Sequence, residues 1–289
     1  MKVDQELKKQ LLRILDRVEA LLLEEPPVVD WSLVKAARWE TGRRGGHLTP
    51  LSVNMDIGLD DLLFIDDQKE LVDTNTRQFV AGEPANNVLL WGSRGTGKSS
   101  LVRALLNAYH DRGLRMVEVD KSDLKHLPSI AAQLDDGEYH FIMFCDDLSF
   151  EEDDAEYKAL KSALDGSLYR TRNNVIVYAT SNRRHLLPEY SSENRDAHLV
   201  NGELHYGETI EEKLSLSDRF GIWVDFYPFD QDQYLALVGH WLRRISGSTD
   251  MAISAPCRRA ALQWALEKAN RSGRTAYQFA SHWIGSHRV

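Results

Sequence analysis

The sequence predicts an α/β protein in which a parallel sheet is sandwiched by helices. An N-terminal helical segment precedes it and a small helical lid follows. Three observations carry this. From about residue 86, short apolar runs alternate with helical patterns. One junction between run and helix is the glycine-rich octapeptide Gly92–Ser99, and after Pro228 no strand candidate remains. Alternation with strands dense in Val, Ile, Leu and Phe implies a parallel sheet covered on both faces.

The chain has 289 residues, enough for one large domain or a main domain with a smaller companion. An apolar fraction of 43% and a charged fraction of 27% fit a folded globular chain. The net charge of −9 does not favour loose adhesion to DNA phosphates or anionic lipid, although a local basic patch is compatible with it. No apolar run reaches the roughly 18 residues a spanning helix needs, so no membrane role is expected. The start MKVDQELKKQ carries both charge signs where a secretion signal turns apolar. Two cysteines, Cys145 and Cys257, make neither a disulfide framework nor a metal cluster, and a reducing cytoplasm is the expected setting.

In order along the chain, residues 3–23 read as an amphipathic helix. Leu7, Leu11, Ile14, Val18 and Leu21 fall on one stripe, packed on its own domain or, alternatively, on a partner. Pro26 and Pro27 end it; Trp31, Val34 and Trp39 suggest a docked segment. Arg43-Arg44-Gly45-Gly46 reads as a mobile linker, with phosphate or nucleic-acid contact as the alternative. Residues 1–50 are thus taken as helical segment and linker, 51–227 as the α/β domain, and 228–289 as the lid. Strands are expected at Asn87–Trp91, Arg115–Val119, His140–Cys145, Asn174–Thr180 and Gly221–Phe226. Helices are expected at Ser99–Arg112, Leu127–Leu134, Asp154–Tyr169 and about Thr209–Leu216. Asp230 caps a lid helix bearing Tyr234, Leu237, Val238, Trp241 and Ile245. Residues 188–213, which contain Asn201-Gly202, interrupt the alternation and suit a hairpin or flexible loop; substrate handling and plain surface insertion are both open.

Gly92-Ser93-Arg94-Gly95-Thr96-Gly97-Lys98-Ser99 matches the phosphate-binding pattern G-x-x-x-x-G-K-[ST]. A random chain of this length shows it roughly once in a hundred. Here an apolar strand leads in and a helix leads out from Ser100, as the motif requires. Glycines let backbone N–H groups converge on phosphate oxygens, and the helix start adds positive potential. Lys98 is expected on the β- and γ-phosphates and Ser99 on Mg²⁺.

Phe141–Asp147 is an apolar run ending in two acids, of which Asp146 would serve Mg²⁺ and Asp147 would polarise the attacking water. Ser149 and Glu152 read as a capping box for the helix that follows. The next strand leads to Asn182, placed to reach both the γ-phosphate and the lytic water. Arg219, in Leu216-Ser217-Asp218-Arg219-Phe220, and Arg274, in Ser272-Gly273-Arg274, come later. His282 and His287 read as surface residues, and Cys145 as a packed thiol.

This order of features resembles the AAA+ ATPases. The phrases Ala85–Gly92, Cys145–Phe150 and Ala179–Leu186 are similar to the bacterial family named domain of unknown function 815, and the likeness runs from about residue 28 onward. The resemblance implies hydrolysis of Mg·ATP to ADP and phosphate, a homo-oligomer, and work on a macromolecular client. It also implies roles: Asn182 as first sensor, Arg219 as the finger reaching a neighbour's nucleotide, Arg274 as second sensor on the lid. Arg183 and Arg184 are rival fingers, and Ile57–Gln68 takes the place of the adenine-contacting segment. AAA+ strands usually end Asp-Glu, whereas this one ends Asp-Asp. Asp147 is one methylene short, about 1.5 Å, and a catalytic group misplaced by roughly 1 Å can cost about a hundredfold. A nucleotide-gated switch that scarcely hydrolyses ATP is therefore the alternative, and a small-molecule kinase is a less favoured third reading. DNA loading rests on analogy alone.

Overall fold

Seven strands form one sheet in the order β2-β1-β4-β5-β6-β3-β9. They are β1 (Ala36–Gly42), β2 (Gly45–Leu51), β3 (Val88–Gly92), β4 (Leu114–Glu118), β5 (His140–Cys145), β6 (Val175–Ser181) and β9 (Ile222–Phe226). All neighbours run parallel except β2, which returns antiparallel on β1. Two short strands, β7 (His198–Val200) and β8 (Glu203–His205), pair antiparallel by themselves. The computed structural model describes residues 28–42, 45–53, 56–134, 137–151, 154–164, 174–183, 186, 198–200, 203–205, 219–248, 251 and 253–287. The expected helices at 3–23 and 209–216 lie outside the described residues, as does Arg184.

Helices cover both faces: α1 (Asp66–Val80), α2 (Lys98–Tyr109), α3 (Leu127–Gln133) and α4 (Ala155–Ser162). Strand β5 illustrates why the sheet needs two covers. Ile142 and Phe144 enter one core with α1 and α2, while Phe141, Met143 and Cys145 enter the other with α3 and α4. Period-two alternation with apolar residues on both sides makes an uninterrupted apolar run, as a doubly covered parallel strand must have. The five expected core strands agree with the observed ones to within a residue at each end.

Two expectations are corrected. Gly45 and Gly46 are no linker: they begin β2, the outer half of a hairpin that extends the sheet beyond β4. Gly46 lies flat beneath the buried Trp39 indole, where a Cβ would come within 1.8 Å of the ring, so glycine is required for packing. The Ser149–Glu152 capping box does not start α4, which begins after Asp154. The Phe150 N–H donates to the Leu186 carbonyl (2.8 Å) and Ser181 Oγ donates to the Leu148 carbonyl (2.7 Å). Those bonds hold the chain extended past β5, and Asp154 is itself engaged by Lys121 Nζ (2.6 Å).

The lid comprises α5 (Gln231–Ser246), α6 (Ala255–Glu267) and α7 (Gly273–His287). Asp230 caps α5 as expected, accepting from the Gln233 N–H at 2.8 Å while the Gln233 side chain accepts from Asp230 N–H at 3.0 Å. Tyr234, Leu237, Val238 and Trp241 form the buried stripe. Among the described residues no helix is long and apolar enough to cross a membrane. Cys145 is fully buried and its thiol is pushed up to about 12 by burial, which removes it as a nucleophile near neutral pH.

Candidate functional site

The carboxyl ends of β5, β6 and β3 lie side by side, so the loops that leave them share one rim of the sheet. This rim is where open α/β folds place ligands. Strand β3 leads into the octapeptide, in which Gly92, Gly95 and Gly97 take φ values of 126°, 76° and 112°. These left-handed turns fold the loop back to start α2 at Lys98, and side chains there would resist them. Thr96 Oγ1 donates to the Ser93 carbonyl (2.8 Å) and braces the turn.

Lys98 Nζ donates to the carbonyls of Gly92 and Ser93, both at 2.7 Å, and to Asn182 Oδ1 at 3.2 Å. Burial lowers its pKa to about 8, against the opposing pull of Asp147 and Asp146. An ammonium held by neutral oxygens and depressed by burial is poised to gain from an arriving anion. Gly92 and Ser93 supply these carbonyls, whereas Arg94 through Ser100 line the cavity itself.

Asp146 Oδ1 accepts from Ser99 Oγ (2.7 Å) and from Thr180 Oγ1 (2.6 Å). Thr180 Oγ1 in turn accepts from the Asp147 N–H at 2.8 Å, so one hydroxyl in β6 aligns both acids. Thr180 was not singled out from the sequence; a hydroxyl two residues before Asn182 is the only signal it offers there. Asp147 has φ 53°. Asp and Asn are the non-glycine residues that best tolerate this left-handed region. The turn redirects the shortened side chain: Asn182 Nδ2 donates to Asp147 Oδ1, and Asp147 Oδ2 lies 4.0 Å from Arg94 Nη2.

A hydroxyl beside a carboxylate is an oxygen donor set suited to Mg²⁺, which takes few protein ligands and keeps waters and phosphate oxygens for the rest. Ser99 and Asp146 fit that ion. Among the described residues no cluster of three His, Cys, Asp or Glu side chains could hold a metal, so no competing all-protein site exists there.

The cavity measures about 560 Å³, within the range of small-molecule sites. Part of its lining is apolar, with Ile57, Leu62, Ile65, Leu237, Trp241 and Tyr277. Asp61, 4% exposed, lines it too. Its carboxylate accepts from the Gly58 N–H at 2.9 Å and pairs with Arg244 at 3.0 Å and His240 at 3.1 Å. This cluster stitches residues 57–65 to α5; nothing in the sequence marks Asp61 as a neighbour of two residues about 180 positions further on. The lid also rests on the phosphate loop. The Arg274 N–H faces the Gly95 carbonyl at 3.4 Å, and a Cβ on Gly95 would come within 2.6 Å of Ser272 Oγ. Arg274 itself lines the cavity and is exposed.

The arginines separate clearly. Arg183 Nη1 donates to the Phe150 carbonyl (3.1 Å) and pairs with Glu151 (3.3 Å), so it braces the segment after β5. Arg219 precedes β9, whose far end at Phe226 pairs with Gly92. It therefore sits at the opposite end of the sheet from the phosphate loop, about 16 Å along the strand, and is not among the residues lining its own chain's cavity.

A family model described as "Protein of unknown function (DUF815)" matches residues 32–287. No curated protein matches the chain. Among solved structures, the Orc1 protein of Aeropyrum pernix in complex with DNA aligns with TM-score 0.52 at 14% identity, over 78% of this chain and 61% of that one. The RuvB Holliday junction branch migration motor of Thermotoga maritima aligns with TM-score 0.49 at 16% identity, over 78% of this chain and 64% of that one. The chain thus spans less than two thirds of either neighbour. The architecture is the AAA+ P-loop NTPase fold.

Proposed function

The chain belongs to the DUF815 family of proteins of unknown function, and from that premise we propose that it binds Mg·ATP in the cavity under the lid and hydrolyses it to drive conformational work on a macromolecular client. One observation carries the reading. The phosphate loop, the Ser99–Asp146 pair and the Asp147–Asn182 pair converge at the ends of three adjacent strands, beneath a lid that touches the loop.

Lys98 and the loop amides bind the phosphates, and the apolar end takes the base. Mg²⁺ on Ser99 and Asp146 would neutralise charge on the β- and γ-oxygens. Asn182 orients a water whose oxygen bonds to the γ-phosphorus as the bond to the β–γ bridging oxygen breaks. The water proton passes to the Asp147 carboxylate, and ADP and phosphate leave. Arg274 reports γ-phosphate loss to the lid. Arg219 reaches the nucleotide of a neighbouring copy, a role its position at the far end of the sheet allows only between chains.

Calorimetry with ATP and Mg²⁺ tests the premise: well-folded protein that evolves no binding heat would end it. The trans role is tested by mixing Arg219→Ala with Lys98→Ala chains. Neither turns over well alone, and the mixture recovers hydrolysis because the second supplies the arginine the first lacks. A mixture as inactive as its parts rejects the trans finger.

A second reading, a nucleotide-gated switch, is favoured by the engagement of Asp147 with Asn182, which occupies the carboxylate that would take the water proton. Persistence of bound ATP for hours in a single-turnover experiment selects the switch; product within seconds selects the motor. The DNA in the Orc1 complex suggests nucleic acid as one client class, against which stands the net charge of −9.

A further inference from the structure

Among the described residues four cationic side chains line the cavity: Lys98, Arg94, Arg103 and Arg274. Lys98 is committed to loop carbonyls, and Arg103 pairs with Glu118 at 3.5 Å. Arg94 is different. It stands at the apex of the phosphate loop, its side chain 75% exposed, and its charged neighbour is Asp147, itself 61% exposed, at 4.0 Å. So long and wet a contact contributes little, because solvent screens it and both side chains lose freedom in making it. The guanidinium is therefore free to exchange that carboxylate for a more highly charged partner. It also lies on the acid side of the cavity, where phosphate oxygens would meet the attacking water.

We propose that Arg94 is a catalytic arginine supplied in cis. The terminal phosphate of ATP draws its guanidinium off Asp147; this places a delocalised charge on the phosphoryl oxygens and releases Asp147 Oδ2 to accept the water proton. The inference rests on the ATPase reading above and adds to it a residue that acts within one chain, whatever Arg219 contributes from a neighbour. The driving force is Coulombic: a phosphate with roughly two negative charges outcompetes one carboxylate for the same cation. Arginines that act on phosphoryl transfer are worth about 10³–10⁵ in rate. At this exposed rim a factor of about 10²–10³ is expected.

The test compares wild type, Arg94→Ala and Arg94→Lys in three measurements. ATP affinity by calorimetry stays within about threefold, since loop amides and Lys98 dominate ground-state binding. Single-turnover hydrolysis by Arg94→Ala falls about 10²–10³-fold. Affinity for ADP with aluminium fluoride, a mimic of the transferring phosphoryl group, falls with the rate and well beyond the change in ATP affinity, because the contact strengthens in the transition state. Arg94→Lys recovers little, as an ammonium cannot spread its contacts as a guanidinium does. Mixing Arg94→Ala with Lys98→Ala restores nothing, in contrast to the Arg219 mixture. Wild-type hydrolysis or undiminished aluminium fluoride binding by Arg94→Ala overturns the proposal, and so does rescue in the mixture. Failure of wild type to bind ATP at all overturns the ATPase reading itself and is seen before any variant is made.

Discussion

The two ends of the cavity are built on opposite plans. At the phosphate end, Lys98 is held by the Gly92 and Ser93 carbonyls of its own loop and by Asn182, while Ser99 bonds Asp146 at the end of β5. At the apolar end, the organising group is one buried carboxylate, Asp61, held by His240 and Arg244 from the lid. The first end is held within the α/β domain, by the loop and the carboxyl ends of β5 and β6. The second end exists only while the lid is docked. Nucleotide chemistry and lid position are thereby set by separate interactions, joined at Gly95 and Arg274.

The comparison can be broken from either side. The largest effect is expected for Lys98→Ala, which removes the ammonium beneath the phosphates. ATP affinity should fall about a thousandfold, equivalent to about 4 kcal/mol, with thermal stability unchanged or slightly raised because a buried charge is lost. Retained affinity in calorimetry would mean the loop amides suffice.

Asp61→Ala comes next. Arg244, 47% exposed, keeps access to water, so the cost lies below the range for a wholly buried pair, at about 2–3 kcal/mol. It should appear as a lower Tm and as faster proteolysis between the α/β domain and the lid. An unaltered lid would show that the ion cluster is incidental to docking.

The smallest effect sharpens the phosphate end. Lys98 carries a pKa of about 8, and a bound phosphate raises it. Above pH 8 binding must therefore take up a proton, and affinity should weaken by up to tenfold per pH unit. Below pH 8 this group contributes no slope. Folding runs the other way: the unfolded lysine holds its proton up to about pH 10.4, so the unfolded state binds more protons between the two values. This group then makes stability rise with pH across that window. Calorimetry and thermal melts at pH 7 and 9 should move in opposite directions, and parallel changes would place the titrating group elsewhere.

Much of the phosphate end was legible because its chemistry is local. The octapeptide, Asp146, Asp147 and Asn182 each sit at the end of an apolar run, and a parallel sheet brings such ends together without further information. The short Asp147 looked like a defect; the left-handed backbone at that residue accommodates aspartate better than a longer acid. Gly46 reads in the sequence as part of a mobile linker, because a sequence cannot distinguish a glycine chosen for freedom from one chosen for contact with Trp39. Ser149 and Glu152 matched a helix-start pattern, yet hydrogen bonds to β6 and Leu186, more than thirty residues on, outcompeted it.

By itself, the order of residues determined a parallel α/β sheet, a phosphate loop on its rim, two acids and an amide beside it, and helices after Pro228. These follow from periodicity and short motifs, whose physics acts over a few residues. Only the tertiary structure decided that Thr180 aligns both acids, that Asp61 joins the lid to the cavity, and that Arg94 faces Asp147 while Arg219 lies at the far end of the sheet. Each depends on which strands lie side by side and which helix packs above them, and that is settled by burial of the whole core.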